Sequence, residues 1–234
     1  MKKIFTLFVF TAFVTTFAYA QKTRPKSTRA KTTVAKTTPT PTPVATAVDP
    51  GKLNLRTYTN DTFNFSVVFP NTWLIPGKDF EEYVISQGYD VRLRLPPGLP
   101  PQAKTNIKRD VQRVKILITA YKYMPEMANN SFVRISVEGI KDFPQIIDAV
   151  DYIDAMRESY KLVRLPGFKY SETQAEQLGS KQFAFIDTET KADKRRLYAT
   201  VRDGYALLFS ITYTQSDDLT VLRDLLTNGD FTLK

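Results

Sequence analysis

Apolar and polar residues alternate through most of the chain after residue 50, and this pattern predicts a sheet of many strands. Side chains of a β-strand point alternately to its two faces, so a period of two indicates a strand with one face on a core. At 113–121, for example, Val114, Ile116 and Ile118 are expected to share the core face. Alternation, or a short apolar run, predicts strands at 55–59, 63–69, 83–87, 91–95, 113–121, 132–138, 170–174, 182–187, 196–202 and 205–213.

Two segments change to the helical period. Apolar residues three and four apart predict a helix at 144–162, with Pro144 in its first turn. Its apolar stripe consists of Ile146, Val150, Ile153, Met156 and Tyr160. A second helix is predicted at 216–228, where Gly229 suits the left-handed position that follows a helix.

The order of these elements predicts the fold class. Strands, a helix, a second run of strands and a final helix favour an α+β fold, in which helices pack on an antiparallel sheet. Short gaps at Gly179 and at Asp203-Gly204 indicate hairpins within that sheet. The chain contains no Cys and therefore no disulfide. Residues 51–234 are long enough to form one stable domain without disulfides.

The first twenty residues have the three parts of a secretory signal peptide. Lys2 and Lys3 precede an uncharged run at 4–17, and Ala18 and Ala20 place small residues at −3 and −1 of a cleavage site. The run is short for a membrane-spanning helix, which needs about 20 residues. We therefore expect cleavage after Ala20 and an exported protein, periplasmic or extracellular. The alternative is an uncleaved N-terminal anchor.

Residues 21–50 predict a disordered basic linker. They contain nine Thr, five Pro and no aromatic residue, so they bury too little apolar surface to offset the entropy of ordering. Six Lys and Arg against Asp49 give this segment +5 of the net charge of +9. Since Lys2 and Lys3 leave with the signal peptide, the folded domain carries +2. The charge therefore predicts weak contact of the linker with an anionic membrane or wall polymer, and no binding of nucleic acid.

The chain contains neither His nor Cys, and this excludes several kinds of chemistry. Ser-His-Asp and Cys-His pairs, a His general base and a His/Cys zinc site are impossible. A carboxylate hydrolase would need two carboxyl groups across a cleft. The candidate pairs are Glu81 with Glu82 and Asp187 with Glu189. Because such acids are more often exposed turn residues, we predict no catalytic residue, no metal and no cofactor.

One loop is a candidate for partner binding because of its side chains. Tyr121, Tyr123, Met124 and Met127 lie within seven residues. Tyr and Met are enriched at protein interfaces, and Met adapts to varied partners. The alternative is that these side chains cover the core.

Basic residues supply two further candidates. A Pro-rich connection at 96–112 carries Lys104, Lys108 and Arg109, and long loops within compact domains are usually functional or disordered. Six other basic residues lie on the polar faces of predicted strands and would form an anion-binding patch if those strands were neighbours. These six are Arg92, Arg94, Lys115, Arg134, Arg196 and Arg202. The alternative is ordinary alternation with polar side chains outward.

The segment FNFSVVFPNTW at 63–73 resembles the opening strand and Pro-x-x-Trp turn of PsbP-like domains, which include extrinsic proteins of photosystem II and bacterial envelope relatives. The segment GYALLFSITY at 204–213, followed by a helix and a short closing strand at 231–233, is similar to the end of these domains. The resemblance covers about residues 55–234. It implies an α/β/α sandwich and a role in binding or assembly, and it carries over no functional residue.

Three functions remain open on the sequence. The leading hypothesis is a non-enzymatic interaction or assembly module of the cell envelope, with another envelope protein as its partner. The second is a small-ligand carrier with a pocket between sheet and helices, and the third is a carboxylate-dependent hydrolase. Exposed Tyr and Met would favour the first, and a pocket with converging polar groups the second.

Overall fold

The computed structural model describes residues 48–77, 113–124, 127, 129–163, 167–191 and 193–232. The predicted strands at 83–87 and 91–95 lie outside these residues. The elements within them are β1 (Lys52–Asn54), β2 (Thr57–Asn60), β3 (Phe65–Val68), β4 (Val114–Tyr121), β5 (Phe132–Gly139), α1 (Ala149–Val163), β6 (Lys169–Tyr170), β7 (Gln174–Leu178), β8 (Lys181–Glu189), β9 (Lys194–Arg202), β10 (Tyr205–Tyr213) and α2 (Asp218–Thr227). In the described part of the chain, no helix is long and apolar enough to cross a membrane.

The strands form two antiparallel sheets, which confirms the predicted α+β fold. A small sheet has the order β1-β2-β3, and a seven-stranded sheet has the order β4-β5-β10-β9-β8-β6, with β7 also paired to β8. The β9–β10 hairpin turns at Asp203 and Gly204, whose φ angles of 53° and 77° are those of the predicted two-residue turn. The β7–β8 hairpin turns at Gly179, where a Cβ would lie 2.3 Å from the Thr227 carbonyl oxygen.

One face of the large sheet packs against the small sheet and α2. The centre of this core is a group of aromatic rings from both layers. Phe209 of β10 lies 5.5 Å from Phe65 of β3, 5.8 Å from Phe183 of β8 and 5.8 Å from Phe231, measured between ring centroids. The segment after α2 reaches this core because Asp230 and Ser66 exchange two backbone hydrogen bonds of 2.8 and 2.9 Å. The predicted last strand thus makes its bridge at Asp230, one residue early.

The opposite face of the large sheet is covered by α1, which contributes a second core with Tyr152, Ile153, Met156 and Tyr160. The helix begins at residue 149 and not at 144. Asp148 Oδ1 accepts hydrogen bonds from the N–H groups of Val150 and Asp151, and the Asp151 carboxylate accepts those of Ile147 and Asp148. This reciprocal capping fixes the start. Val150, which was predicted to lie on the buried stripe, is 41% exposed, and Tyr152 lies on that stripe instead.

The end of α2 corrects another prediction. Gly229 does not adopt the left-handed conformation, since the described residues with positive φ do not include it. The last helical contacts are instead made by Asn228, whose N–H bonds to the Asp224 carbonyl. A Cβ at Gly229 would lie 2.9 Å from the Phe231 ring and 3.0 Å from the Leu225 carbonyl oxygen. Glycine is therefore required here for space and not for backbone conformation.

The last three residues of the predicted linker belong to the folded domain. Val48 packs against the core. The Asp49 carbonyl accepts a hydrogen bond from Asn60 Nδ2 at 3.0 Å, and the Pro50 carbonyl accepts one from the Tyr58 hydroxyl at 2.6 Å. Tyr58 and Asn60 are both buried. The ordered domain therefore starts no later than Val48. Residues 21–47 lie outside the described residues, and their assignment as a linker stays a prediction.

A chain that begins at Gly51 is expected to be less stable than one that begins at Val48. Removing residues 48–50 leaves the Tyr58 hydroxyl without its carbonyl acceptor and takes one acceptor from the Asn60 amide, so we expect a loss of about 1–2 kcal/mol in the free energy of unfolding. Urea denaturation of the two chains measures this difference. Equal midpoints and slopes would show that residues 48–50 do not dock on the domain.

Candidate functional site: an exposed loop anchored to the second helix

Residues 122–131, which we call the Met loop, connect β4 to β5. Three of the predicted binding residues lie on its surface: Tyr123 is 49% exposed, Met124 40% and Met127 55%. Tyr121 does not join them. It is 6% exposed and packs on Phe132 at 5.7 Å between ring centroids, and burial raises the pKa of its hydroxyl. Tyr121 is the last residue of β4, as the predicted strand at 113–121 implied, and it belongs to the core and not to the exposed surface of the loop.

The loop is held in shape by one asparagine. The Asn130 side chain accepts a hydrogen bond from the Tyr123 N–H at 3.0 Å and donates to the carbonyls of Tyr123 and Met124 at 2.9 and 3.0 Å. The Met127 N–H also bonds to the Met124 carbonyl at 2.9 Å. These contacts satisfy backbone groups that would otherwise need water. These hydrogen bonds hold the backbone at Tyr123, Met124 and Met127, the three residues whose side chains are exposed.

Both ends of the loop are fixed to α2 by Asp218. This carboxylate accepts a hydrogen bond from Lys122 Nζ at 2.6 Å and another from the Ser131 hydroxyl at 2.5 Å. Asp218 is 5% exposed and Ser131 is fully buried. The bond to Asp218 raises the pKa of Lys122 above its ordinary value. No local signal could have revealed this anchor, because Asp218 lies 96 residues after Lys122 in the chain.

A second apolar surface adjoins the base of the Met loop. Leu74 and Tyr121 exchange two backbone hydrogen bonds of 2.7 and 2.8 Å, so the segment after Trp73 runs beside the end of β4. This segment forms one wall of a groove of about 670 Å³. The other wall is the β1–β2 turn, where Leu55 is 90% exposed and has a φ of 55°.

The groove keeps its shape through Arg56. Its guanidinium donates hydrogen bonds to the Trp73 carbonyl at 2.5 Å and the Asn71 carbonyl at 2.7 Å, which ties the β1–β2 turn to the opposite wall. A leucine with positive φ pays a conformational cost that the surrounding structure must offset. The exposure of Leu55 was not predicted from sequence, because Leu55 was placed in a strand at 55–59 and β1 was not predicted.

The predicted basic patch does not form among the described residues. Arg134 lies on the face of the sheet that α1 covers, is 4% exposed and donates to the Thr119 hydroxyl at 3.2 Å. Arg196 lies on the opposite face and makes a two-pronged ion pair with Asp187 at 2.7 and 2.6 Å. Arg202 donates to the carbonyls of Phe63 and Asn64. Each of these three arginines thus has its own structural contacts.

The remaining predicted site residues form two groups, those outside the described residues and those within them. Lys104, Lys108, Arg109, Glu81, Glu82, Arg92 and Arg94 lie outside the described residues. Asp187 lies within them, and its carboxylate is engaged by Arg196, so the pair with Glu189 is not two free carboxylates facing a cleft. No group of three or more acidic residues among the described residues is arranged to hold a metal ion.

Comparisons with known proteins give likenesses of fold. No protein-family model matches the chain, and no curated protein matches it. The solution structure of cyanobacterial PsbP from Synechocystis sp. PCC 6803 is 12% identical, with a TM-score of 0.40, over 79% of this chain and 95% of that one. The crystal structure of PA94, a Pseudomonas aeruginosa protein of unknown function, is 18% identical with a TM-score of 0.30 over 40% of this chain. This match spans 65% of the length of PA94. Membership of the PsbP family stays a prediction.

Proposed function

We propose that this protein is an exported, non-enzymatic interaction module of the cell envelope, and that the Met loop is its partner-binding surface. The observation that carries the proposal is the exposure of Tyr123, Met124 and Met127 on a loop whose backbone is fixed at both ends. The partner would be another envelope protein that presents an apolar surface to these side chains.

Preorganisation supports this proposal. Binding costs free energy for each segment that becomes ordered, so a loop that is ordered beforehand loses less on association. The hydrogen bonds of Asn130 and the anchor at Asp218 supply this order. The side chains of Met124 and Met127 keep their own flexibility, which lets an apolar contact fit partners of different shape.

The groove beside the Met loop would enlarge the contact. Leu55 at its rim is a large apolar side chain exposed to 90% on a turn held by Arg56. Interfaces depend on a few anchor residues within a larger surface that excludes water. We assign Leu55 as a second anchor for the same partner, because Leu74 connects the groove wall to the base of the Met loop.

Export and the linker are the remaining parts of the proposal. The signal peptide predicted at residues 1–20 would place the domain in the periplasm or outside the cell. The basic linker that follows would act as a spacer and would touch an anionic membrane or wall polymer only weakly, since exposed charges are screened by salt. The basic residues Lys104, Lys108 and Arg109 are proposed as an additional contact for the partner.

Replacement of Tyr123 and Met124 by Ser is expected to leave the fold intact and abolish partner binding. Both side chains are about half exposed, and surface substitutions usually change stability by less than about 0.5 kcal/mol. The thermal midpoint should therefore remain within a few degrees. Crosslinking from a photoreactive residue at Met127 in the native envelope measures binding, and the wild-type crosslink should disappear in the double variant.

The matched control replaces Ile147 and Val150 by Ser. These two residues are also exposed apolar side chains, at 80% and 41%, but they lie at the start of α1. Their loss should leave the crosslink from Met127 unchanged. A Tyr123/Met124 variant that still gives the wild-type crosslink would remove the Met loop from the binding surface. A large fall in its thermal midpoint would show that the loop covers the core.

A further inference from the structure

The large sheet opens between β8 and β9, close to the start of α1. Pairing of these two strands ends at Ala184 with Ala199. Beyond this point, residues 181–183 pair with β7 and residues 200–202 pair with β10. A cleft of about 420 Å³ lies at the opening and is lined by both strands and by residues 147–150. Its volume is within the range of small-molecule sites.

The opening turns backbone hydrogen-bonding groups of the two strands toward one another. Both backbone groups of Asp187 point to the opposite edge of β8, since its carbonyl accepts the Ser171 N–H at 2.9 Å and its N–H donates to Ser171 Oγ at 3.0 Å. Successive residues of a strand point these groups to alternate edges, so the N–H and C=O of Gln182 point to β9. Val201 would be the residue opposite Gln182 if the register continued, but the pairing does not reach these two residues.

The polar groups that the cleft offers to a ligand are therefore the backbone N–H and C=O groups of Gln182 and Val201. Within the described ranges of the chain, the ladder between β8 and β9 supplies no partner for them. Both residues line the cleft. Gln182 is exposed and Val201 is half-buried, so a ligand can reach these groups from solvent. Unpaired strand edges are templates for another extended chain.

The side of the cleft next to α1 is apolar. Ala184 and Val201 line it and belong to the core that α1 covers, as strand alternation requires. Ile147 and Val150 form the other wall and are 80% and 41% exposed. Asp148 holds this wall in place, because its Oδ1 accepts a hydrogen bond from the Val150 N–H at 2.8 Å. An apolar side chain of a ligand would cover Ile147 and Val150 and remove them from water.

We propose that the opening between β8 and β9 binds a short extended peptide segment of another chain, with an apolar side chain against Ile147 and Val150. Two successive residues of the segment would bond to the backbone of Gln182 and of Val201, because a strand presents alternate residues to its two edges. In this mode of recognition, main-chain hydrogen bonds give affinity and side-chain pockets give specificity. The site shares no residue with the Met loop, and the proposal does not depend on that loop.

The protein's own linker suits this opening poorly. Each edge needs a ligand residue that carries an N–H group, whereas Pro39, Pro41 and Pro43 alternate with Thr in the linker and have none. An extended Thr-Pro segment could therefore bond fully to one edge only. Because β8 and β9 are paired again from Ala184 and Ala199 onward, a long strand could not pass between them. The end of a separate chain fits the opening better.

Titration of the protein with the peptide acetyl-Ala-Leu-Ala-amide tests the proposal. One control peptide is N-methylated at the leucine and lacks that N–H, and the other has serine in place of leucine. Amide shifts in ¹H–¹⁵N spectra report where each peptide binds. The leucine peptide is expected to shift the amides of Gln182, Ala184 and Val201 and to bind about fivefold more tightly than either control. Absence of these shifts, or equal binding of the N-methylated peptide, would overturn the proposal.

Spectra recorded before any peptide is added identify other occupants of the opening. Contacts between the amides of Gln182 or Val201 and residues 38–47 would show that the linker fills it. Shifts of these amides that depend on protein concentration would show that a second copy of the chain does. We expect neither, and either result would overturn the assignment of a separate peptide to this site.

Two variants test the two walls of the site. Ile147→Ser should weaken binding of the leucine peptide about fivefold, whereas Val68→Ser, which removes an exposed apolar side chain of the small sheet, should leave it unchanged. Gln182→Pro removes an N–H that the ladder does not use, so binding should weaken several-fold while the thermal midpoint stays within a few degrees. Ile147→Ser tests the site independently of any effect of proline on the fold. If the affinity for the leucine peptide is unchanged in Ile147→Ser, the assigned site is wrong.

Discussion

Replacement of Trp73 by alanine is expected to lower the free energy of unfolding more than any other substitution proposed for this protein. Trp73 is 4% exposed and belongs to the core between the small sheet and the large one. Truncation of a buried Trp costs roughly 3–5 kcal/mol through lost transfer energy and the cavity that remains. For a domain of this size, that loss corresponds to a fall of about 10 °C or more in the thermal midpoint.

Leu55→Ala is the matched control for this experiment, because Leu55 lines the same groove and is 90% exposed. Its truncation should change the free energy of unfolding by less than about 0.5 kcal/mol. Urea denaturation of both variants measures the two values. A Trp73→Ala protein as stable as the wild type would mean that the indole is not part of the core.

The period of two predicted most strands but not the faces that they present, as β4 demonstrates. Val114, Ile116 and Ile118 were expected on one core face. The pairing with β5 shifts between Ile116 and Ile118, which lie opposite Ser136 and Ile135. A bulge of one residue exchanges the two faces, so Ile116 is 50% exposed while Ala120 is fully buried. Nothing in the local pattern marks the extra residue.

Alternation also does not tell whether a polar face meets water. The polar face of β5 carries Arg134 and Glu138, which are 4% and 1% exposed. Burial lowers the pKa of Arg134 to about 10, and the Tyr152 hydroxyl donates a hydrogen bond of 2.7 Å to Glu138. Burial of a carboxyl group costs free energy unless it is hydrogen-bonded. The hydrogen-bond partner of Glu138 is Tyr152, which lies on another element, α1. No pattern in the sequence indicates that Glu138 and Tyr152 are partners.

The region between α1 and β8 shows a limit of hydrophobic patterns. A single strand was predicted at 170–174, but β6 and β7 are separate strands that pair with the two ends of β8. The residues of β7, Gln174–Leu178, carry little apolar character. They form a strand because β8 supplies the hydrogen bonds. The divergence of β8 from β9 follows from this pairing and is invisible in the sequence.

The Met loop contains residues that could be chosen from the sequence and residues that could not. Tyr123, Met124 and Met127 could be chosen from sequence because loop residues of this kind are unusual. The two residues that hold the loop could not be ranked above other polar residues, since Asn130 acts through three backbone contacts and Asp218 through two distant side chains. The exposed Tyr and Met side chains of this loop can therefore be found in the local sequence, whereas the contacts that hold the loop depend on the tertiary structure.

Asp218→Ala is expected to lower the free energy of unfolding by roughly 2–3 kcal/mol and to loosen the Met loop. The variant leaves the buried Ser131 hydroxyl without its acceptor and Lys122 without its ion-pair partner. Hydrogen bonds to a charged group contribute about 1.5–3 kcal/mol each, and the partial exposure of Lys122 reduces its share. Asp217→Ala is the control, because Asp217 makes no side-chain cap bond and is exposed.

The pH dependence of this difference identifies the ion pair. Asp218 raises the pKa of Lys122 above 10.5 in the folded protein, so the pair stabilises the fold fully below pH 10.5 and loses its effect as the pH rises through the folded-state pKa. The gap between wild type and Asp218→Ala should therefore narrow above about pH 10.5. Hydrogen exchange at the amides of Tyr123 and Met127 should be faster in the variant at neutral pH. Unchanged exchange together with wild-type stability would show that Asn130 alone holds the Met loop, and that Asp218 has no part in presenting its exposed side chains.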